Sequence, residues 1–433
     1  MNIKQILSRF NFGTKAASNR AVVFFSTVGS IFVPGAQRDY NTLSEEGYQQ
    51  CTEVFACINL IARATSGISW KVYQKKKQGK KLIEIEDMGD PLVKLLRRPN
   101  PYQSFGKFLE NLVGYYYVSG NGYIHRVGPN GKKPPMELWN LRPDRVQVNP
   151  SKSAAAGPIA DFSYKVADDS KPITLSPDRI LDGIAWQVVK QFKTFNPTDD
   201  LYGLSPIRAG ARVIDQMNEA SILNYNLLKN GARMSGAFVF KGSYDETIEA
   251  NLKKQLQDQY AGTNNAGKQL LLTGDMDWKE MGINPKDMDW IEGQKMNTRR
   301  ICSLMGVAPE LIGDVQNKTY NNQKEARKAL MIETVMPLLD NIQDELNAWL
   351  VPLFDEDVFI AYDKDDIDVI KDERTALWGR ILQAVDSSVL TPNEGRDALG
   401  YEASPDPAAS VLRPVVVKPP TRYPAPGPAD AGA

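Results

Sequence analysis

The longest helical pattern in the chain runs from Asn322 to Leu350, with Pro337 near its middle. Apolar residues recur along it at the three- and four-residue intervals of a single helix face. These residues are Ala326, Leu330, Met336, Leu339, Ile342, Leu346 and Trp349. A proline ring removes a backbone N–H donor and clashes with the preceding turn, so the helix must kink near Pro337. A kinked helix of about 43 Å, at a rise of about 1.5 Å per residue, is too long for a small globule and suits a wall that turns a corner.

A polar segment separates this pattern from the helix before it. In "LIGDVQNKTYNNQKEARKAL", residues 311–330, the stretch between Gly313 and Gln323 is rich in amides and has little charge. Tyr320 is its only aromatic side chain, so the stretch has little to bury. The sequence predicts a loop between two well-patterned helices. Amide-rich loops are common on ordinary surfaces, so a solvent loop without a ligand is one interpretation.

The composition is that of an ordinary soluble protein with more than one core. At 433 residues, with 42% hydrophobic and 24% charged side chains, the chain is long enough for two or three globular units. Lys and Arg number 52, as do Asp and Glu, so no global attraction to nucleic acid or anionic membrane is expected. No apolar run reaches the roughly 18 residues of a membrane helix. Any contact with nucleic acid must then depend on local placement.

The cysteines and the single histidine argue against common metal and catalytic sites. Cys51, Cys57 and Cys302 form no Cys-x-x-Cys pair, which argues against a disulfide framework or a zinc site and fits a reducing compartment. His125 follows an Asn-Gly turn in a predicted strand and has no second histidine as partner, so a His-based triad is not expected. We expect His125 to be structural and the chain to use no cofactor.

An acidic stretch between Asp355 and Asp368 is the remaining candidate for metal chemistry. Phe359 and Tyr362 separate its carboxylates along a predicted strand, so these groups do not converge on one ion. No Gly-x-x-x-x-Gly-Lys-Ser or Gly-x-x-x-x-Gly-Lys-Thr loop and no Gly-x-Ser-x-Gly motif is present. The sequence therefore predicts neither a catalytic residue nor a metal site. A metal-dependent nucleic-acid-processing enzyme that uses the stretch near Asp363 stays as an alternative.

Segments of different character follow one another along the chain. Residues 1–39 contain an apolar run that imitates a secretory signal, and we interpret them as a cytoplasmic arm that packs on a neighbour or stays mobile. Residues 40–203 predict one α+β domain. Two long helices, over 204–231 and 286–306, then enclose a small α/β unit. After residue 403 the chain has eight prolines and is expected to be flexible.

Five motifs occur in order along the chain. They are "TEVFACINLIARATSGISWKVY", "PNPYQSFGKFLENLVGYYYVSGNGYIHRVG", "DLYGLSPIRAGARVI", "RRICSLMGVAPELIGD" with "TYNNQKEARKAL", and "LTPNEGRDALG". Each is weak alone, but in this order the chain resembles the portal proteins of tailed bacteriophages and their prophages from about Tyr48 to Ala403. The resemblance implies an α+β, portal-like subunit that assembles as a ring, typically a dodecamer. Such rings sit at one capsid vertex and pass double-stranded DNA in and out without sequence preference.

The resemblance also implies how the parts of a portal subunit fall on this chain. They are an arm (1–39), an α+β wing (40–203), a first stem helix (204–231), an α/β clip (232–285), a second stem helix (286–306), a tunnel loop (307–322), a kinked long helix with a returning wing strand (323–370), a helical crown (371–403) and a disordered Pro-rich tail (404–433).

Two sets of site residues follow from this assignment. The tunnel-loop residues expected to line the DNA channel are Gln316, Asn317, Lys318, Thr319, Tyr320, Asn321 and Asn322. The clip residues expected to dock the packaging motor are Asp245, Glu246, Glu249, Lys253, Lys254 and Asp258. A channel lined with Lys and Arg would hold duplex DNA in place, whereas amides offer weak, interchangeable hydrogen bonds. Lys318, repeated around a ring, would add a modest band of positive charge.

The implied partners are double-stranded DNA, other copies of the chain, the terminase large subunit, the head–tail connector, and the major capsid protein or scaffold. The implied location is the portal vertex of the virion, with the host cytoplasm during assembly. No membrane and no enzymatic activity are expected. Besides the enzyme above, the alternative is a cytoplasmic helical adaptor whose long helices form a local oligomer without a channel.

Overall fold

The computed structural model describes most of the chain between residues 40 and 413. The described residues are 40–78, 81–129, 134–152, 158–181, 184–229, 236–240, 276–280, 290–314, 320–355 and 357–413. The predicted arm (1–39) and the last twenty residues lie outside them. The chain divides into two compact units, Met1–Gly67 with Arg97–Glu345 and Ile68–Leu96 with Leu346–Ala433.

Helices make up much of the described chain. The α-helices are α1 (Tyr40–Thr42), α2 (Thr52–Ser66), α3 (Pro91–Arg97), α4 (Phe105–Ser119), α5 (Pro206–Ala209), α6 (Ala211–Lys229), α7 (Trp290–Met305), α8 (Tyr320–Ala329), α9 (Met336–Trp349), α10 (Asp368–Asp386) and α11 (Pro392–Ala398). Leu43–Gln49 and Leu330–Val335 are π-helical. Short 3-10 turns occupy Pro143–Arg145, Pro309–Leu311, Val351–Leu353, Lys364–Asp366 and Pro407–Ser410.

Short antiparallel strands complete the fold. They are β1 (Trp70–Gln78), β2 (Lys81–Glu84), β3 (Asn121–Val127), β4 (Glu137–Leu141), β5 (Val146–Pro150), β6 (Ile159–Tyr164), β7 (Ile173–Leu175), β8 (Arg179–Leu181), β9 (Ile184–Trp186), β10 (Val189–Lys193), β11 (Gly236–Phe240), β12 (Met276–Glu280) and β13 (Val358–Tyr362). The described sheets have the strand orders β13-β1-β2, β10-β3-β4, β5-β6-β7, β8-β9 and β11-β12. Helices beside small antiparallel sheets confirm the predicted α+β class.

The core of the first unit forms where α2 packs against α4. The face of α2 predicted from its helical spacing is buried, with Val54, Ile58 and Ile61 all at most 1% exposed. Helix α4 begins at Ser104, whose side chain accepts a hydrogen bond from the backbone N–H of Lys107, and its last turn is followed by a left-handed glycine. Apolar residues at helical intervals thus bring the two helices together, and their burial supplies most of the local stabilisation.

The second unit is built on the β13-β1-β2 sheet, in which Trp70 lies opposite Tyr362. The side chain of Asn347 in α9 attaches to the edge of this sheet. Its Nδ2 donates to the Ile360 carbonyl at 2.7 Å, and its Oδ1 accepts from the Ile360 N–H at 2.7 Å. One amide therefore satisfies both backbone groups of a strand residue, which fixes the end of α9 on the strand.

The prediction of one continuous first stem helix over 204–231 is wrong. Ser205 caps it as expected, accepting from the backbone N–H of Arg208 at 3.4 Å, but Gly210 ends α5 and a new helix, α6, begins at the next residue. A Cβ atom at Gly210 would lie 2.4 Å from Cδ2 of Leu304. The break therefore lies beside α7, and the absence of a Cβ atom at Gly210 leaves room for the Leu304 side chain.

The long helix is interrupted where Pro337 predicted a kink. The backbone N–H of Met336 bonds to the Met331 carbonyl, five residues back, at the end of the π-helical segment Leu330–Val335. Because Pro337 has no N–H to donate, the α-helical ladder cannot pass through this point unchanged. The helix begins at Tyr320, two residues earlier than predicted, because the loop residues Asn321 and Asn322 already belong to α8.

The C-terminal segments also differ from expectation. Helix α10 begins at Asp368, three residues before the predicted crown (371–403). Residues 404–413, assigned to a disordered tail, are held to α11: Asn393 Oδ1 accepts from the Ser404 N–H at 2.7 Å, and Asn393 Nδ2 donates to Ser410 Oγ at 2.9 Å. The composition of the tail does not predict this contact, because a single asparagine of α11, Asn393, makes both hydrogen bonds.

His125 provides a pH-dependent test of the first unit. It lies in β3 between Val189 and Trp139, and burial lowers the pKa of its imidazole, with a smaller contribution from the charge of Arg126. The folded state therefore binds a proton less readily than the unfolded chain, so the free energy of unfolding should fall as the pH drops below 6.5, the ordinary pKa.

Glutamine does not ionise in this pH range, so His125→Gln should make this loss of stability smaller. The measurement is urea denaturation of both proteins at about pH 7.5 and about pH 5.5. Equal pH dependence of the two proteins would show that His125 does not contribute.

Candidate functional site

The end of α7 is a glycine-dependent stop that leads into the predicted tunnel loop. Gly306 has φ +68, and its N–H bonds to the Ser303 carbonyl at 3.3 Å. The N–H of Val307 bonds to the Cys302 carbonyl at 2.9 Å. This pair of bonds is a Schellman motif, which satisfies the last carbonyls of the helix and turns the chain sharply.

The same glycine is tied to the π-helical segment of the long helix. The Thr334 hydroxyl donates to the Gly306 carbonyl at 2.6 Å. A Cβ atom at Gly306 would lie 2.7 Å from Thr334 Oγ1. The end of α7 and the bend of the long helix are thus joined by a hydrogen bond from a side-chain hydroxyl to a backbone carbonyl, although 28 residues separate the two groups.

The first residues of the loop are also held in place. A 3-10 turn at Pro309–Leu311 is followed by Gly313 with φ +115, and the N–H of Asp314 returns to the Pro309 carbonyl at 3.1 Å. Arg299 Nε on α7 lies 2.9 Å from Asp314 Oδ2, whose side chain is 15% exposed. The loop therefore starts from an anchored position beside the second stem helix.

Most of the predicted channel residues follow this anchor directly. Gln316, Asn317, Lys318 and Thr319 lie outside the described residues, as does the side chain of Tyr320. Asn321 and Asn322 were predicted as loop residues, but they are exposed residues in the first turn of α8. The loop is therefore shorter than predicted, and the amides of Asn321 and Asn322 remain on the surface.

Helix α8 continues the polar character of the loop on one side. Ala326 and Leu330 face the interior, at 7% and 5% exposure, whereas Asn321, Lys324 and Arg327 are exposed. The helix thus packs with its apolar face and leaves amide and basic groups open.

The two stem helices pack along each other in opposite directions. Asn297 Nδ2 on α7 donates to Gln216 Oε1 on α6 at 3.3 Å, and Leu304 lies beside Gly210. Ile214, Met217, Ile301 and Met305 are buried, whereas α6 is largely exposed from residue 221 onward. The stem helices therefore have a packed half near Gly210 and an open half away from it.

The clip is described only through its strands. β11 and β12 pair antiparallel, with Phe240 opposite Met276. The six proposed docking residues, Asp245, Glu246, Glu249, Lys253, Lys254 and Asp258, all lie outside the described residues.

Asp363, in the acidic stretch, forms an ion pair with Lys71 on the neighbouring strand β1. Lys71 Nζ lies 2.9 Å from Glu84 Oε2 and 3.1 Å from Asp363 Oδ2, and these two partners raise the pKa of Lys71 above its ordinary value. Asp366 Oδ2 accepts from the Ser69 hydroxyl at 3.0 Å. In the part of the chain that the structure describes, no group of three or more His, Cys, Asp or Glu side chains could hold a metal ion.

The three cysteines are free and buried. Cys57 on α2 and Cys302 on α7 are both fully buried, and hydrogen bonding between them together with burial raises the pKa of the Cys57 thiol. Burial also raises the pKa of Cys51, to about 11. Buried thiols away from solvent are poor nucleophiles, so these residues act as core side chains.

No helix among the described residues is long and apolar enough to span a membrane.

Several contacts that fix the loop could not be found from the sequence. Thr334 and the pair Arg299–Asp314 have no motif of their own, and their partners are brought close only by the packed helices. Gly306 was the one residue of this set with a local signal, because a glycine before Pro309 predicts a helix end.

Comparison with known proteins places this architecture in one family. A family profile described as "Phage portal protein" matches residues 52–400. The portal protein of Enterobacteria phage HK97 is 22% identical over 380 residues, which cover 86% of this chain and 83% of that protein. An uncharacterized protein of Rickettsia bellii (strain RML369-C) is 35% identical over 363 residues, which cover 82% of this chain and 88% of that protein.

A solved structure supports the same assignment. A chain from the neck of a native gene transfer agent particle, computed with C12 symmetry, is 32% identical. The similarity covers 90% of this chain and 100% of that chain, with a TM-score of 0.61. The chain belongs to the phage portal protein family, and the resemblance found in its sequence motifs is confirmed.

Gly306→Ala tests the contact that positions the loop. It should lower the free energy of unfolding by about 1–3 kcal/mol, because alanine is strained at positive φ and its Cβ meets Thr334. Gly293→Ala in the same helix is the control: nothing lies within 4 Å of its Cβ position, so this change should stabilise by about 0.5–1 kcal/mol. Urea denaturation measures both, and equal midpoints for the two variants would contradict the assigned role.

Proposed function

We propose that this chain forms a ring of twelve copies with an axial channel through which double-stranded DNA is packaged and later ejected. The observation that carries the proposal is the similarity, over the whole of that chain, to a protein in a particle neck with C12 symmetry. The open half of the paired stem helices supports it, because exposed helices in an isolated subunit suit contacts between copies. The ring would occupy the capsid portal vertex, with assembly in the host cytoplasm.

The stretch from Gln316 to Asn322, which leads from the tunnel loop into the first turn of α8, is proposed to line the narrowest part of the channel. Support comes from the anchors at its start, where Asp314 and Gly306 are held to α7 and to the long helix. These contacts define the point from which the loop leaves the body of the subunit. Amides on such a loop can bond weakly to successive phosphates, and Lys318 adds one positive charge per subunit.

The clip is proposed to bind the terminase large subunit during packaging and the head–tail connector afterwards. Contact with the major capsid protein or scaffold at the vertex belongs to the same proposed role. The proposed role is structural, so no catalytic residue, metal or cofactor is assigned, and the alternative enzyme role of Asp363 is not favoured because Lys71 engages that carboxylate.

Loop variants test the DNA proposal in assembled procapsids. Lys318→Ala removes one charge per subunit and should reduce genome retention several-fold, because fewer cations contact the phosphates. Asn321→Ala removes one amide per subunit and should have a smaller effect in the same direction. Packaged DNA is measured by nuclease protection and gel electrophoresis.

Lys171→Ala, at an exposed wing position, is the matched control for the loss of a lysine. If both loop variants package and retain DNA as the control does, the loop is a passive spacer.

A clip replacement tests motor docking. Because Phe240 and Met276 are paired, an Asn-Gly turn can join β11 to β12 in place of residues 241–275. The shortened protein should still form rings but should lose binding to the terminase large subunit in a pull-down assay. Replacing residues 153–157 by the same turn controls for loss of a segment elsewhere, and retained motor binding by the clip variant would refute the docking role.

A further inference from the structure

The two stem helices each leave a charged and an apolar side chain exposed, four residues apart. On α6 these are Glu219 and Leu223, with Leu223 46% exposed. On α7 they are Arg300 and Met296, with Met296 51% exposed. In an α-helix, residues four apart lie on one side, so each helix has a short outward stripe of two side chains.

Both stripes face away from the buried sides of their helices. The buried residues of α6, Ile214 and Met217, and those of α7, Ile301 and Met305, lie on other sides of their helices. Among the described residues, neither Glu219 nor Arg300 has an ion-pair partner. Both stripes are therefore open to another molecule.

The two stripes match each other in order and spacing. Gly210 of α6 lies beside Leu304 of α7, and Gln216 bonds to Asn297, so the helices run antiparallel from a common end. Moving away from that end, α6 presents its charged residue first and its apolar residue about 6 Å farther on. Moving away from the same end, α7 also presents its charged residue, Arg300, first and its apolar residue, Met296, about 6 Å farther on, and the charge is opposite to that of Glu219.

A single shift of one copy of the chain along the helix axes can therefore bring the two charged residues together and the two apolar residues together across the contact between copies. A closed ring needs such a contact, because each subunit must use two different faces, one toward each neighbour. Acidic against basic and apolar against apolar is the complementarity expected across a specific interface.

We infer that, in the ring, α6 of one subunit packs on α7 of the next, with Leu223 against the partner subunit's Met296 and Glu219 paired with the partner subunit's Arg300. The inference rests on the proposed ring and adds the surface that closes it. The occupant of each stripe is a second copy of this chain.

Charge reversal tests the interface in the purified full-length protein, without DNA. Glu219→Arg and Arg300→Glu should each raise the protein concentration needed for half-maximal ring formation by at least about tenfold, because like charges then face each other. The double variant Glu219→Arg/Arg300→Glu should restore assembly toward that of the unchanged protein. Native mass spectrometry and negative-stain imaging measure the rings.

Lys171→Glu, on the wing, controls for a reversed charge, and circular dichroism checks that each variant is folded. Ring formation by folded single variants at the unchanged concentration would overturn the inference. So would a double variant that assembles no better than either single one.

A crosslink provides a second measurement. In Leu223→Cys/Met296→Cys, mild oxidation by diamide should join neighbouring subunits, since two thiols lose two electrons and two protons to the oxidant as one disulfide forms. A ladder of oligomers in denaturing gels supports the contact, with the unchanged protein and its three buried cysteines as the control. If microscopy shows rings of the double-cysteine variant but the denaturing gel shows no ladder, the contact is overturned.

These outcomes are separate from those of the DNA proposal. Assembly is measured without DNA, so a passive tunnel loop leaves the interface test unchanged. If no ring forms from the unchanged protein under any condition tested, the proposed ring fails rather than this particular contact. If rings form but are insensitive to both tests, only the contact fails.

Discussion

The missing backbone N–H of Pro337 is the constraint from which the arrangement around the loop follows. An α-helical ladder cannot cross this residue unchanged, and the chain instead widens into a π-helical segment at Leu330–Val335. Thr334 in that segment bonds to the Gly306 carbonyl, which joins the end of the second stem helix to the bend. Beyond the bend, α9 leads to Asn347, whose amide binds both backbone groups of Ile360 in the second unit.

The candidate site joins an anchored start to a stretch of polar residues. Gly306 and Asp314 hold the start of the loop through backbone geometry and an ion pair. The residues that follow, Gln316 to Thr319, are amides, a lysine and a threonine, with no apolar side chain among them. In the proposed channel this division would keep the loop in one place while DNA moves past it, because the tight contacts hold the support and the weak ones meet the phosphates.

Sequence reasoning succeeded where neighbouring residues decide the structure. The helical spacing of Val54, Ile58 and Ile61 predicted a buried face, and Ser205 predicted a cap, because both features depend on residues a few positions apart. It failed at Gly210, which ends α5 and lies against Leu304 of α7, nearly a hundred residues away. The predicted loop was too long for a similar reason: a polar composition does not prevent Asn321 and Asn322 from forming the first turn of a helix that packs through Ala326.

The amino-acid sequence alone determined the class of fold, the family and the interruption of the long helix, since periodicity, motif order and the chemistry of proline are local properties. Tertiary structure alone decided which distant residues meet: Thr334 with Gly306, Arg299 with Asp314, and Asn347 with Ile360. It also decided which side chains stay exposed on the stem helices, because exposure depends on what the rest of the chain covers. Hydroxyl, amide and charged side chains have many potential partners in a sequence, and only packing of the helices selects one of them.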